Sequence, residues 1–187
     1  PPLASVARLR AMAITRTQVV PSGRERSFGE DEIIVSKTDL QGKITYANDV
    51  FIRVSGYEED ELLGAPHSII RHPDMPRAVF KLLWDTLATG REVFAYVNNM
   101  ARNGDNYWVL AHVTPSFDHA GTIVGYHSNR RVPEPAKVEK VKPIYAALLA
   151  AERRHSDRRD GLVASVALLE ATLAQAGIAY DEWVWSL

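Results

Sequence analysis

The sequence predicts an α+β fold, a five-stranded antiparallel sheet with helices gathered on one face and a helical extension at the C-terminal end. Three observations predict it. The elements follow the order β-β-α-α-α-β-β-β. The strands are joined by tight-turn chemistry at Asp39-Leu40-Gln41-Gly42, Arg102-Asn103-Gly104-Asp105 and Asp118 to Gly121, so sequence neighbours run antiparallel. Beyond Pro133-Glu134-Pro135 the apolar spacing is helical only. The expected organisation is therefore an arm over residues 1–30, one α+β domain over 31–133 and a helical hairpin over 134–187.

The arm reads as partly flexible. Arg24, Glu25, Arg26 and Glu30 to Glu32 surround Phe28, as in a solvated segment with one anchoring aromatic. The position of Met12 suggests a natural start there, with Pro1 to Ala11 as an upstream extension. Ile33 to Ser36 and Lys43 to Ala47 form the first hairpin. Asn48 and Asp49 cap a short helix through Val50, Phe51 and Val54, ended by Gly56. Glu58 to Leu63 form another helical turn, stopped by Gly64. The segment from Pro66 to Pro76 contains three prolines and cannot be one regular helix. Asp74 followed by Pro76 reads as the capped start of a helix ending at Leu87 and closed by Gly90. Val79, Phe80, Leu83, Trp84 and Leu87 give that helix its apolar face.

Three strands follow. Glu92 to Ala101 alternates, with Val93, Ala95, Val97 and Asn99 on one face and Phe94, Tyr96, Asn98 and Met100 on the other. Asn106 to Phe117 is expected to be interrupted late by Pro115, and Thr122 to Val132 completes the sheet. Ile144, Tyr145, Leu148 and Leu149 then mark a short amphipathic helix, and Glu152 to Asp160 a charged, arginine-rich break. Leu162, Val166, Leu169 and Leu173 form a stripe of about two heptads, marginal for an independent coiled coil and suited to an αα-hairpin or a dimer bundle. Trp183 and Trp185 at the end are expected to dock on something.

Composition narrows the function. With 187 residues, 46% hydrophobic and 24% charged, the chain is that of a globular domain with extensions. A net charge of −1 offers no broad basic field for nucleic acid or an anionic membrane. No apolar run approaches the roughly 20 residues of a membrane span and no signal-peptide core opens the chain, so a cytoplasmic location is expected. Cysteine is absent, which excludes disulfides, thiolate catalysis, thiolate metal sites and a cysteinyl flavin adduct. No phosphate-cradling glycine loop, zinc-spaced histidine pair or serine elbow occurs, so no enzyme is expected.

The densest chemistry lies in Arg71-His72-Pro73-Asp74-Met75-Pro76. This polar elbow can hold polar parts of a ligand or simply shape the entry of the long helix by salt bridges. Asn98 and Asn99 stand out because strand interiors disfavour asparagine, and one of the two must face the concave side of the sheet. Tyr107 and Trp108 point to opposite faces, so only one can line a pocket. Trp84 reads as core, and His112, His119 and His127 carry no pattern.

Ser36-Lys37-Thr38-Asp39-Leu40, Gly42 to Asn48, Val54-Ser55-Gly56-Tyr57 and Glu61-Leu62-Leu63-Gly64 resemble the opening half of a PAS domain. The elbow, with Asn103-Gly104-Asp105 and Tyr107-Trp108-Val109, resembles the FAD-binding PAS sensors of bacterial aerotaxis receptors. The likeness spans roughly Ile33 to Arg131. It implicates Arg71, His72 and Asp74 in FAD binding or signalling, and Asn48, Trp84, Asn99 and Tyr107 match as well, with Asn98 beside them. The chain departs from that group at Glu92-Val93-Phe94, where a tryptophan is usual. It departs again at Asn98 and at Met100-Ala101, where basic residues are usual.

The resemblance implies a single-PAS redox or oxygen sensor in signal transduction or energy taxis, holding FAD without a covalent bond. The receptors' membrane segment and signalling domain have no counterpart here, so a signalling protein partner acting in trans is expected, with a homodimer through the N- or C-terminal helices. The alternatives are a cofactor-free interaction or dimerisation module, a b-type haem held by His72 or His67, or a small metabolite.

Overall fold

The computed structural model describes residues 19–187. The expected start at Met12 and the upstream extension lie outside the described residues. Five strands form one antiparallel sheet: β1 (Ile34–Thr38), β2 (Ile44–Ala47), β3 (Val93–Met100), β4 (Asn106–Phe117) and β5 (Ile123–Arg131), in the spatial order β2-β1-β5-β4-β3. Helices α1 (Asp49–Ser55), α2 (Glu59–Leu62) and α3 (Arg77–Ala88) lie in the long connection between β2 and β3, and pack on one face, called inner below. A 3₁₀ turn, His67–Ile70, sits between α2 and α3, where the prolines forbid a continuous helix. The C-terminal extension is α4 (Pro135–Arg153), α5 (Arg158–Ala176) and α6 (Tyr180–Ser186).

Local signals account for much of this. Asn48 caps α1, its Oδ1 accepting from Phe51 N at 3.0 Å, and Gly56 ends the helix at φ +70°, a conformation that suits glycine. β4 runs unbroken through Pro115 instead of being interrupted there. Pairing with β3 ends at Val113, so the missing N–H of Pro115 faces an open edge while β5 still pairs with it. Phe51, Val54, Leu62, Ile70, Ala78, Val79 and Leu87 are buried beneath the inner face. A side chain such as Phe51 or Leu62 contributes about 1.5–3 kcal/mol by that burial.

The start of α3 corrects the sequence reading. Asp74 does not cap it. The N-cap position is Pro76, and the first-turn N–H groups are met by Glu152 of α4, whose Oε1 accepts from Arg77 N at 2.6 Å and from Ala78 N at 3.3 Å. Arg77 Nε also donates to Glu152 Oε2 at 2.8 Å. Glu152 therefore belongs to the last turn of α4 and not to a charged break, which shrinks to the turn before α5. A carboxylate at a helix N-terminus satisfies orphan donors and the positive end of the helix dipole together.

The extension covers the other, outer face of the sheet. Val138, Val141, Tyr145 and Leu148 of α4 are buried, and Tyr145 Oη donates to the β3 carbonyl of Tyr96 at 2.8 Å. α4 and α5 form the expected αα-hairpin, packed so closely that a Cβ on Gly161 would lie 2.5 Å from the Glu152 carbonyl oxygen. The terminal tryptophans dock on their own chain: Trp183 is buried, and Trp185 meets Phe94 edge-on at 4.8 Å. The arm is tied to β4, with Ser22, Arg24 and Arg26 bonding Asp105, and Phe28 buried as the anchor. Gly104 lets it pass, since a Cβ there would lie 2.2 Å from the Val20 carbonyl oxygen.

Candidate functional site

Between the inner face and the helices lies a cavity of about 290 Å³. β1 contributes Ser36 and Thr38, β3 contributes Val97 and Asn99, β4 contributes Ala111 and Val113, and β5 contributes Tyr126, Ser128 and Arg130. α3 supplies Phe80, Leu83 and Trp84, and the elbow region supplies His67, Ser68 and Arg71. Strand alternation dictates the lining, because each contributed strand residue is two positions from the next.

The polar groups of this cavity are under-satisfied. Arg130 is 2% exposed, and its Nε and Nη1 have no hydrogen-bond partner among the described residues. Its Nη2 donates to Ser36 Oγ and its guanidinium stacks over Phe51 at 4.5 Å. Among the described residues, no carboxylate lines the cavity. Burial lowers the Arg130 pKa to about 10, and the group stays charged at neutral pH. Ser36 Oγ, accepting from Arg130, has its own proton for His67 Nε2 at 3.1 Å. Burial, with Arg130 nearby, lowers the His67 pKa to about 3, so this imidazole is neutral. Asn99 Nδ2 and Thr38 Oγ1 are also buried without partners among the described residues. Buried polar groups are ordinarily hydrogen-bonded, and an unpaired buried cation is costlier still.

Arg71 closes one side. Its backbone forms an isolated antiparallel bridge with Asn99 on the free edge of β3, its Nη2 donates to the Met75 carbonyl at 3.0 Å, and its guanidinium lies over Phe80 at 4.1 Å. Trp84 stands at the mouth, 38% exposed, edge-on to Tyr126 at 5.2 Å and above Gly42. It is a rim residue more than a core one.

The sequence-predicted residues thus separate. Arg71, Trp84 and Asn99 meet in the cavity, with His67. Asn98 points to the outer face, where its Oδ1 accepts from Asn106 Nδ2 at 3.1 Å beside Trp108. His72 and Asp74 also lie on that side: His72 Nδ1 accepts from Asp74 N at 3.1 Å, and burial lowers the His72 pKa. Of the two histidines considered for haem, only His67 lines the inner cavity. The Asn48 side chain is bonded to backbone, its Oδ1 accepting from Val35 N and Phe51 N and its Nδ2 donating to the Ile33 carbonyl. Tyr107 is paired with Asn99 in register and lies behind the cavity, its hydroxyl buried and unpartnered, its pKa raised by burial against the opposing charge of Arg130. Sequence reasoning missed Arg130 and Ser36. The available signal was alternation along β5, which puts Arg130 on the face of Tyr126 and Ser128.

A five-stranded antiparallel sheet of this order, helices on its inner face and a cavity between, defines an α+β module with an internal site for a small ligand. Residues 44–130 match the PAS fold family, and this stretch of the chain is a PAS domain. The chain is 46% identical over 123 residues to the aerotaxis receptor of Escherichia coli (strain K12), covering 66% of this chain and 24% of the receptor. It is 30% identical over 121 residues to the nitrogen fixation regulatory protein of Klebsiella pneumoniae, covering 65% of this chain and 24% of that protein. The matched region is thus about a quarter of the length of these relatives. Among solved structures, the dark state of the blue-light photoreceptor Aureochrome1 LOV is similar, with a TM-score of 0.51 and 26% identity over 65% of this chain and 84% of that one. Among the described residues, no single helix is long and apolar enough to cross a membrane.

Proposed function

We propose that this PAS domain is a redox or oxygen sensor that holds FAD non-covalently, with the flavin ring in the inner cavity, and reports to a signalling partner rather than catalysing a reaction. The observation that carries the reading is Arg130, a buried guanidinium with two nitrogen atoms unpartnered among the described residues, in a cavity they line without a carboxylate. Such a site favours a planar ligand whose edge bears hydrogen-bond acceptors and gains negative charge. Asn99 Nδ2 offers a second donor and Thr38 Oγ1 a third polar group. Phe80, Leu83 and Trp84 supply an apolar wall, and neutral His67 adds no competing charge. The 46% identity to an aerotaxis receptor supports the same reading.

When bound, a flavin supplies reversible electron transfer at its ring. Arg130 favours negative charge at that edge through Coulomb attraction in a low-dielectric site. Asn99 can turn its amide to donate or accept, and its backbone bridge to Arg71 passes any strain in β3 to the elbow. From there Met75 and Arg77 lead to Glu152 and the C-terminal hairpin. Val163, at 62% exposure on α5, belongs to the hairpin surface that a partner or a second copy would meet.

The test is an absorption spectrum of the purified chain, as isolated and after incubation with FAD and gel filtration. A retained flavin band supports the sensor. A chain that stays colourless contradicts it and leaves an interaction module, whereas a haem Soret band would direct attention to His67.

A further inference from the structure

We propose that the arginine-rich cleft between the elbow and the α4–α5 turn holds the diphosphate of a dinucleotide whose ring lies in the inner cavity, so that the C-terminal hairpin is itself part of the binding site. This rests on the flavin reading above. Continuity is the first support. Ser68 and Arg71 line both the inner cavity and this second cleft, whose volume is about 600 Å³. The inner cavity lies at the low end of small-molecule sites, which run to roughly 1,000 Å³, and accommodates a ring system better than a whole dinucleotide.

Charge is the second support. Arg71, Arg77, Arg153, Arg158 and His155 line the cleft, against the single carboxylate of Glu152. That carboxylate is already engaged by Arg77 and the first N–H groups of α3. Asp157 nearby caps α5 through the N–H groups of Arg159 and Asp160. Arg153 has an exposed contact to Asp74 at 3.2 Å, and Arg158 has no carboxylate partner among the described residues. Guanidinium forks match phosphate oxygens in shape and charge.

The strand supplies the third. β3 carries Asn98, Asn99 and Met100, followed by Ala101, with no cation at the cavity edge. Cations for an anionic tail therefore come from the elbow and from the hairpin. Burial lowers the Arg71 pKa to about 10, with the carboxylate of Glu152 opposing the shift and the charges of Arg77 and Arg158 adding to it.

The test titrates the full chain with riboflavin, FMN, FAD and ADP, following flavin fluorescence and ADP competition. The comparison is with the double substitution Arg153→Gln/Arg158→Gln, two exposed side chains whose loss leaves the core intact. The expected result is a loss of FAD affinity of about tenfold or more with riboflavin affinity unchanged. Unchanged FAD binding, or an equal loss for riboflavin, overturns the proposal while leaving the flavin reading standing. Should the unsubstituted chain bind no flavin at all, that reading fails and ADP decides. ADP binding weakened by the double substitution keeps the cleft as a diphosphate site, and absence of ADP binding removes it.

Discussion

Two buried charges of opposite sign, Glu152 and Arg130, differ in their surroundings. Glu152 has Arg77 Nε and two backbone N–H groups on its oxygens. Arg130 has Ser36 on one nitrogen and no partner on the other two. The first is a closed device: it caps α3, fastens α4 to the PAS domain and needs no ligand. The second is open, tolerated in the folded chain through a cation–π contact but uncompensated in charge. A buried ion that is fully bonded marks architecture, and one left open marks a site.

That contrast can be broken experimentally. The largest effect is expected for Glu152→Ala, which strips the cap from α3 and leaves Arg77 unpaired. Unfolding stability should fall by about 3 kcal/mol in a urea titration. A loss below about 1 kcal/mol would mean that the clasp is ornamental at the level of stability. Next comes Arg130→Leu, which should cost about 100-fold in FAD affinity, read by fluorescence titration. Its ligand-free stability should be unchanged or raised, since replacing an uncompensated buried charge by an apolar side chain is often neutral or favourable.

The neighbouring asparagines sharpen the comparison at smaller scale. Asn99→Ala should weaken FAD binding about tenfold, through a lost hydrogen bond in the cavity. Asn98→Ala should leave FAD binding unchanged and lower stability by about 1 kcal/mol, since its Oδ1 bonds only Asn106 on the outer face. Equal effects of the two on binding would undo the assignment of faces. The smallest effect concerns the arm. Hydrogen bonds from Ser22 and Asn103 and the charge of Arg24 lower the Asp105 pKa to about 2. A depressed carboxylate stabilises the fold above its unfolded value and loses that contribution as pH falls through the folded one. The tie of Ser22, Arg24 and Arg26 should therefore hold at neutral pH and loosen as pH falls from about 4 towards 2. NMR shifts of the arm should titrate with a midpoint near 2. A midpoint at the ordinary aspartate value would show the tie to be absent in solution.

What the sequence revealed followed the range of the interactions concerned. The Asn48 cap and the Gly56 stop are local, and both were legible three or four residues away. The PAS order of strands and helices followed from turn chemistry and periodicity. Asp74 resembled a cap because it stands near Pro76, but the oxygen that caps α3 arrives from a residue 75 positions later. No local pattern could show that, and Glu152 itself was hidden among arginines. The Asn98–Asn99 pair was known to straddle the sheet, yet only the burial of each strand face decides that Asn99 is the inner one. Arg130 escaped notice beside Arg131 at a strand end, where a basic pair reads as solvent-facing. Trp84 matched the apolar stripe of α3, but its position over Gly42 places it at the rim.

The most direct test of the central claim is thermal unfolding of the chain and of Arg130→Leu, each with and without FAD. A ligand that binds only the folded state raises the melting temperature by mass action. FAD should raise it for the unsubstituted chain, whereas Arg130→Leu should melt at the same or a higher temperature without FAD and show little or no rise with it. An Arg130→Leu chain stabilised by FAD as much as the unsubstituted one would contradict this expectation.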